Sequence, residues 1–218
     1  MLRWFLTERL RRRLRYLFPH LYIAGNHHLR PWQDGSARSP LLLYCSHNGW
    51  SDVALAVVLS RRLFHLRSSF LIERQQLDHL PTLRFLGGVI LPWDNPPALQ
   101  ELLPEALPRL LRHHRVLWVF ATGALLSVGE TDTLWSCADL VRSAPGPIAL
   151  SPVVWSYRLL QSEPACYLCI GKPELWGPES APSTLVEHCS RRLLQLYNHQ
   201  QSLLSTGALP ASYRRYSL

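Results

Sequence analysis

The stretch Leu41-Leu42-Leu43-Tyr44-Cys45-Ser46-His47-Asn48-Gly49-Trp50-Ser51-Asp52, followed by Val53-Ala54-Leu55-Ala56-Val57-Val58-Leu59, decides the reading of this chain. Leu41 to Tyr44 is a short apolar run that reads as a buried strand, and Val53 to Leu59 reads as the start of a buried helix. Between them lies a polar turn holding His47 and Asp52. A strand that ends in such a turn delivers an imidazole to the carboxyl edge of a sheet, where open α/β sheets bind ligands. On a regular helix, residues five apart stand roughly 140° apart around the axis, so the two side chains would not meet. Gly49 permits a turn that folds Asp52 back toward the ring. A carboxylate accepting a hydrogen bond from one imidazole nitrogen fixes the tautomer and makes the other nitrogen a better base. The same residues also suit a plainer role, the histidine capping a turn and the aspartate capping a helix. Spacing alone does not separate the two.

Outward from this stretch, apolar runs of strand length alternate with longer helical patterns. Strands are expected near 41–45, 67–72, 88–92, 116–121, 148–155 and 165–171, and helices near 52–64, 75–86, 97–114, 133–143 and 181–204. Such alternation implies an α/β fold with a mostly parallel sheet flanked by helices. Pro31 to Pro40, with Gly35 and Ser36, reads as a turn into the first core strand. Thr122 to Thr133 reads as a loop after a buried strand. Its glycines lack the following lysine that a phosphate-binding loop needs. Tyr213-Arg214-Arg215-Tyr216 reads as a loose basic tail.

Residues 2–21 have a character of their own. Leu6, Leu10, Leu14, Leu17, Phe18 and Leu21 recur at helical spacing, while Arg3, Arg9, Arg11, Arg12, Arg13 and Arg15 crowd the remainder. Trp4 and Phe5 add aromatic weight. The pattern reads as a basic amphipathic helix able to lie in a lipid headgroup layer; the alternative is an ordinary helix docked on its own domain. It does not read as a signal peptide, because arginines interrupt any apolar core. The domain expectation is therefore a basic helix and linker over residues 1–30 and a single α/β domain over 31–218.

Composition narrows the function. The 218 residues, 47% hydrophobic, suffice for one well-buried domain. Charged residues make up only 17% and there are 8 tryptophans, which suits a protein that leaves apolar surface for lipid. No run approaches the ~18 apolar residues needed to span a bilayer, so peripheral association is the expectation. The net charge of +8 is carried almost wholly by arginine, with Lys172 the only lysine. Basic excess suits nucleic acid or anionic lipid. No zinc-finger spacing, RNA-binding strand signature or helix-turn-helix stands out, which leaves an anionic membrane surface as the expected partner.

Cys45, Cys137, Cys166, Cys169 and Cys189 are scattered and odd in number. The pair Cys166-x2-Cys169 lacks the second pair or the histidines that a structural zinc site wants. The five read as reduced, buried thiols of a cytoplasmic protein. His27-His28, read as part of a strand, and His113-His114, read as part of a helix, would point apart and act as solvated or capping groups. No metal is expected.

Four segments in order carry a resemblance. The first is His47 to Asp52, a His-x4-Asp spacing. The second is Arg84-Phe85-Leu86-Gly87-Gly88-Val89-Ile90, preceded by Leu71-Ile72-Glu73-Arg74-Gln75-Gln76-Leu77. The third is Trp118-Val119-Phe120-Ala121-Thr122-Gly123, and the fourth Ser151-Pro152-Val153-Val154. Over roughly residues 40 to 175 the chain resembles the glycerophosphate and lysophosphatidate acyltransferase family (lysophospholipid acyltransferases). The resemblance implies transfer of a fatty acyl group from a thioester, on coenzyme A or acyl carrier protein, to a lipid hydroxyl. It implies His47 as general base and Asp52 as the residue that orients it. Arg74, Gly88, Trp93, Thr122, Gly123 and Pro152 are the implied substrate-binding positions. The thioester is a substrate, so no bound cofactor is required.

The departures matter as much. The second motif usually ends in a basic residue, where this chain has Leu91-Pro92-Trp93-Asp94. The third usually supplies a Glu and an Arg, where this chain has Thr122, Ala124, Leu125 and Leu126. In the family those arginines are thought to bind the acceptor's phosphate, and an arginine fork suits phosphate because it donates parallel hydrogen bonds from a fixed plane. Leucine, alanine and tryptophan cannot. The expectation is an acceptor without a phosphate beside its hydroxyl, such as a neutral glycolipid or carotenoid glycoside; the alternative is a catalytically impaired lipid-binding or partner-binding protein on the same scaffold. A serine hydrolase is disfavoured, since no Gly-x-Ser-x-Gly elbow is present.

Overall fold

Strand β2 (Leu41–Cys45) lies in the middle of the sheet, and all five of its residues are buried. That is the mark of a strand covered on both faces. The structure is a computed structural model and describes residues 2–46, 50–72, 77–78, 81–91, 96–111, 115–120, 132–160, 162–206 and 210–218. Beside β2 run β5 (Arg115–Phe120) and β6 (Ile148–Leu160), both parallel to it, with β3 (Arg67–Leu71) and β4 (Gly88–Val89) continuing the parallel set beyond β5. On the other side β6 pairs antiparallel with β7 (Glu163–Ile170), which runs parallel to β1 (His20–Ala24). β9 (Arg214–Tyr216) closes that edge, and β8 (Glu174–Trp176) pairs with the start of β6. Among the described residues this is one mixed sheet, mostly parallel, in the order β4-β3-β5-β2-β6-β7-β1-β9.

The pleat divides the core. Leu41, Leu43 and Cys45 face helix α3 (Trp50–Arg62), while Leu42 and Tyr44 face the opposite layer. That layer contains α4 (Pro96–Leu110), α5 (Asp132–Arg142) and α6 (Pro182–Ser205). Every residue from Asp52 to Ser60 on α3 is buried. A helix apolar all round must be covered on both sides, and here the second cover is α1 (Leu2–Leu17), which buries Thr7, Leu10 and Leu14. The two helices run antiparallel: Arg13 lies over the Trp50 ring, 4.6 Å from its centroid, and Glu8 meets Arg62 at 3.3 Å. Trp118 on β5 donates its indole N–H to Ser60 Oγ at 2.9 Å, tying α3 to the sheet.

Several local expectations are corrected. Residues His20–Ala24, expected to be the end of the basic helix and the linker after it, form β1, and a short α2 (Arg30–Gln33) follows a 3₁₀ turn at Asn26–Leu29. β1 follows the basic helix after only two residues and was hidden by the arginine-rich pattern around it. The supposed loose tail forms β9, anchored by the Tyr216 hydroxyl, which accepts a hydrogen bond from Asn26 Nδ2 at 2.9 Å. His27 and His28 sit in the 3₁₀ turn, so their rings lie 4.0 Å apart between centroids rather than on opposite sides of a strand. Near 75–86 the described part beyond Pro81 is a 3₁₀ turn, Pro81–Leu86. β6 runs on to Leu160, well past the expected end. His113 and His114 lie outside the described residues.

Candidate functional site

The parallel strands end side by side. Cys45 at the end of β2 is in register with Phe120 at the end of β5, and Leu71 at the end of β3 is in register with Val89 at the end of β4. Beyond Cys45 the chain keeps contact with β6: Ser46 donates its backbone N–H to Val153 O at 3.0 Å, and its hydroxyl oxygen accepts from the Trp155 N–H at 3.2 Å. Ser46 is thus a buried structural hydroxyl.

Asp52 stands at this edge, in the first turn of α3, and is fully buried. The amino end of a helix suits a carboxylate electrostatically, but burial is costly unless the oxygens are hydrogen-bonded. The Tyr157 hydroxyl donates to Asp52 Oδ1. Tyr157 comes from the part of β6 that runs on past the end of β2, and its ring packs against Phe18 just beyond α1, 5.0 Å between centroids. Burial first, then the neighbouring Cys166 thiol and the Asp52 charge, push the Tyr157 hydroxyl far above its ordinary pKa, so it remains a proton donor. Burial likewise raises the thiols of Cys45 and Cys166, with the Asp52 charge adding to it. The result is a carboxyl group set among protonated, poorly ionisable neighbours, with the Tyr157 phenol of β6 among the groups that hold it.

Of the expected site residues, Asp52, Gly88 and Pro152 are described, while His47, Arg74, Trp93, Thr122 and Gly123 lie outside the described residues. Gly88 is a packing position: a Cβ there would come within 2.7 Å of Ile72 Cδ1 and 2.9 Å of Leu83 O. Pro152, paired with Tyr44, faces away from Asp52 and lines a cavity against α6. The structure therefore does not gather Pro152 with Asp52. What sequence reasoning missed is Tyr157 and Phe18. Tyr157 is 105 residues from Asp52, and no local pattern signals such a pairing.

All five cysteines are free and buried. Cys166 and Cys169 belong to opposite faces of β7, since residues three apart on a strand point opposite ways. Among the described residues no cluster of metal-ligating side chains occurs, and no helix is long and apolar enough to cross a membrane. An apolar cleft of about 880 Å³, lined by Pro40, Pro108, Leu111, Pro147 and Leu175 among others, sits where β2 and β6 begin, at the far end of the sheet from Asp52. Its position separates it from any chemistry at that carboxyl.

No protein-family model and no curated protein matches the chain.

Proposed function

We propose that the chain is a membrane-associated O-acyltransferase, in keeping with its resemblance to the lysophospholipid acyltransferases. The observation that carries the reading is Asp52, a fully buried carboxyl at the carboxyl edge of the central parallel strand, five residues after His47 in a His-x4-Asp spacing. A fully buried carboxyl is a costly feature for a mere helix cap, and one fixed by the Tyr157 hydroxyl suits a group that must present an oriented oxygen to a neighbouring imidazole.

In the proposed step, His47 removes the proton from a lipid hydroxyl as that oxygen attacks the carbonyl carbon of an acyl thioester. The C–S bond then breaks and the thiolate leaves, taking the proton from the imidazolium. Asp52 orients His47 and stabilises its charge, and Tyr157 holds Asp52. The donor is acyl-coenzyme A or acyl carrier protein. The acceptor is a neutral glycolipid or carotenoid glycoside, because the positions where the family carries arginines hold Trp93, Leu125 and Leu126.

Membrane contact is supported by the outer side of α1. Trp4 is 61% and Phe5 57% exposed, next to an arginine-rich stretch, while Leu10 and Leu14 are turned inward. Exposed aromatics beside arginines suit an anionic interface. The test of the activity is acyl transfer to a lipid hydroxyl by the whole protein and by His47→Ala; activity that survives this substitution rejects the reading.

A further inference from the structure

A second cavity lies on the other face of the sheet from Asp52, between α6 and the ends of β1 and β7. Its volume is about 420 Å³, and among the residues lining it are His28, Lys172, Arg192 and His199, with no acidic residue among the described lining residues. Three separate segments supply these groups: the 3₁₀ turn after β1, the turn after β7, and the middle of α6.

Local geometry explains why they meet. Gly25 has φ +76°, and a Cβ there would fall 1.9 Å from Ile170 O, so only glycine lets the 3₁₀ turn press against the end of β7. That contact brings His28 up to Lys172. Arg192 is held rigidly, donating to Lys172 O at 2.9 Å and bridging Glu174 at 3.1 Å. Its side chain is only 18% exposed, so the guanidinium is preorganised. Lys172, the chain's only lysine, stands exposed at the rim.

We propose that this cavity is a binding site for a small molecule bearing a phosphate monoester. Two permanent cations and two imidazoles converging from three segments match a dianion, and a fixed guanidinium suits phosphate oxygens. The volume holds a phosphate with a compact body attached. Glu174 balances Arg192 from one side, but toward His28 the positive charges are uncompensated: Lys172 and Arg192 add to burial and to His27 in lowering its pKa. The site is separate from Asp52 and does not depend on acyl transfer.

Isothermal titration of the full-length protein with inorganic phosphate and with ribose 5-phosphate, against acetate as control, tests the assignment. Lys172→Gln and His199→Gln change exposed side chains and leave the packing intact. Saturable binding of ribose 5-phosphate, weakened about tenfold or more by Lys172→Gln, is the expected result. Absence of saturable binding by both phosphate compounds overturns the proposal, as does binding that both variants leave unchanged. Binding to vesicles containing phosphatidate that Lys172→Gln abolishes, with no soluble phosphate bound, overturns the small-molecule assignment in favour of a lipid headgroup.

Discussion

The Tyr157 hydroxyl donates a hydrogen bond to Oδ1 of the fully buried Asp52, joining the extended end of β6 to the first turn of α3. Tyr157→Phe keeps the ring against Phe18 but leaves Asp52 short of a donor. The expected cost is about 1–3 kcal/mol, read as a lower Tm. In the proposed acyl transfer, kcat falls while KM for the thioester stays close to wild type, because Tyr157 acts through Asp52. A kcat equal to wild type would remove Tyr157 from the machinery.

His47→Ala is expected to lower acyl transfer by about 10²–10⁴-fold, the usual range for a general base. Asp52→Asn keeps shape but cannot stabilise an imidazolium as a carboxylate does, so it too should be strongly impaired. The two variants differ in stability. Asp52→Asn alters a buried hydrogen-bonded group and should lower Tm, whereas the His47→Ala protein should melt near wild type.

His28 offers a sign to check. Burial first, then the nearby charges of His27, Lys172 and Arg192, hold its pKa below the ordinary histidine value. The unfolded chain therefore takes up this proton at higher pH than the folded one. The stabilising contribution is full above the unfolded pKa and is lost as pH falls through the folded one. Between about pH 8 and about pH 5, Tm of His28→Gln should fall less than that of wild type. An identical slope for both would mean that His28 does not respond to its neighbours as described.

The central layers were legible because their cause is local. The runs at 41–45 and 116–121 are continuously apolar, and a strand buried on both faces leaves that trace. Asp52 was legible for the same reason, lying between a clear strand and a clear helix. β1 and β9 were not. They are the short edge strand β9, of three residues, and its neighbour β1, of five, and the pairing of each is decided by a partner far along the chain. Tyr157 was hidden by distance too, since β6 reaches Asp52 only because it outruns β2. The pocket at Lys172 and Arg192 has no sequence motif, as its two cations and two histidines come from three segments. Gly88 and Pro152 looked functional by motif position, yet the former is required by packing against Leu83 and the latter faces the other layer.

Membrane binding needs a test that spares the fold. Removing residues 1–18 would strip Leu10, Leu14 and Phe18 from their packing, and Leu14→Ala alone is expected to cost about 2–5 kcal/mol. Trp4→Ser with Phe5→Ser changes exposed groups instead. The expected outcome is unchanged Tm with weaker co-sedimentation on anionic vesicles, and wild-type binding that declines as salt rises. Binding indifferent to both salt and the double substitution would reject a role for α1 at the interface.

The proposed acyl transfer turns on its acceptor. In the proposed acyl transfer, Trp93, Leu125 and Leu126 occupy the sequence positions at which the resembling family carries phosphate-binding arginines, so the proposal gives a phosphate-bearing acceptor no charged partner for the hydration it loses. Such desolvation costs several kcal/mol or more, enough to slow turnover by orders of magnitude. Lysophosphatidate and glycerol 3-phosphate should therefore be poor acceptors, and a neutral glycolipid or carotenoid glycoside a better one. Arg74 is the cation near this stretch of sequence that is able to reverse the outcome. A competition between lysophosphatidate and a neutral glycoside for one acyl thioester measures the preference, with Lys172→Gln run in parallel to remove phosphate capture on the far face. Preference for lysophosphatidate rejects the neutral-acceptor proposal, and its disappearance in Arg74→Ala identifies the residue that supplies the missing charge.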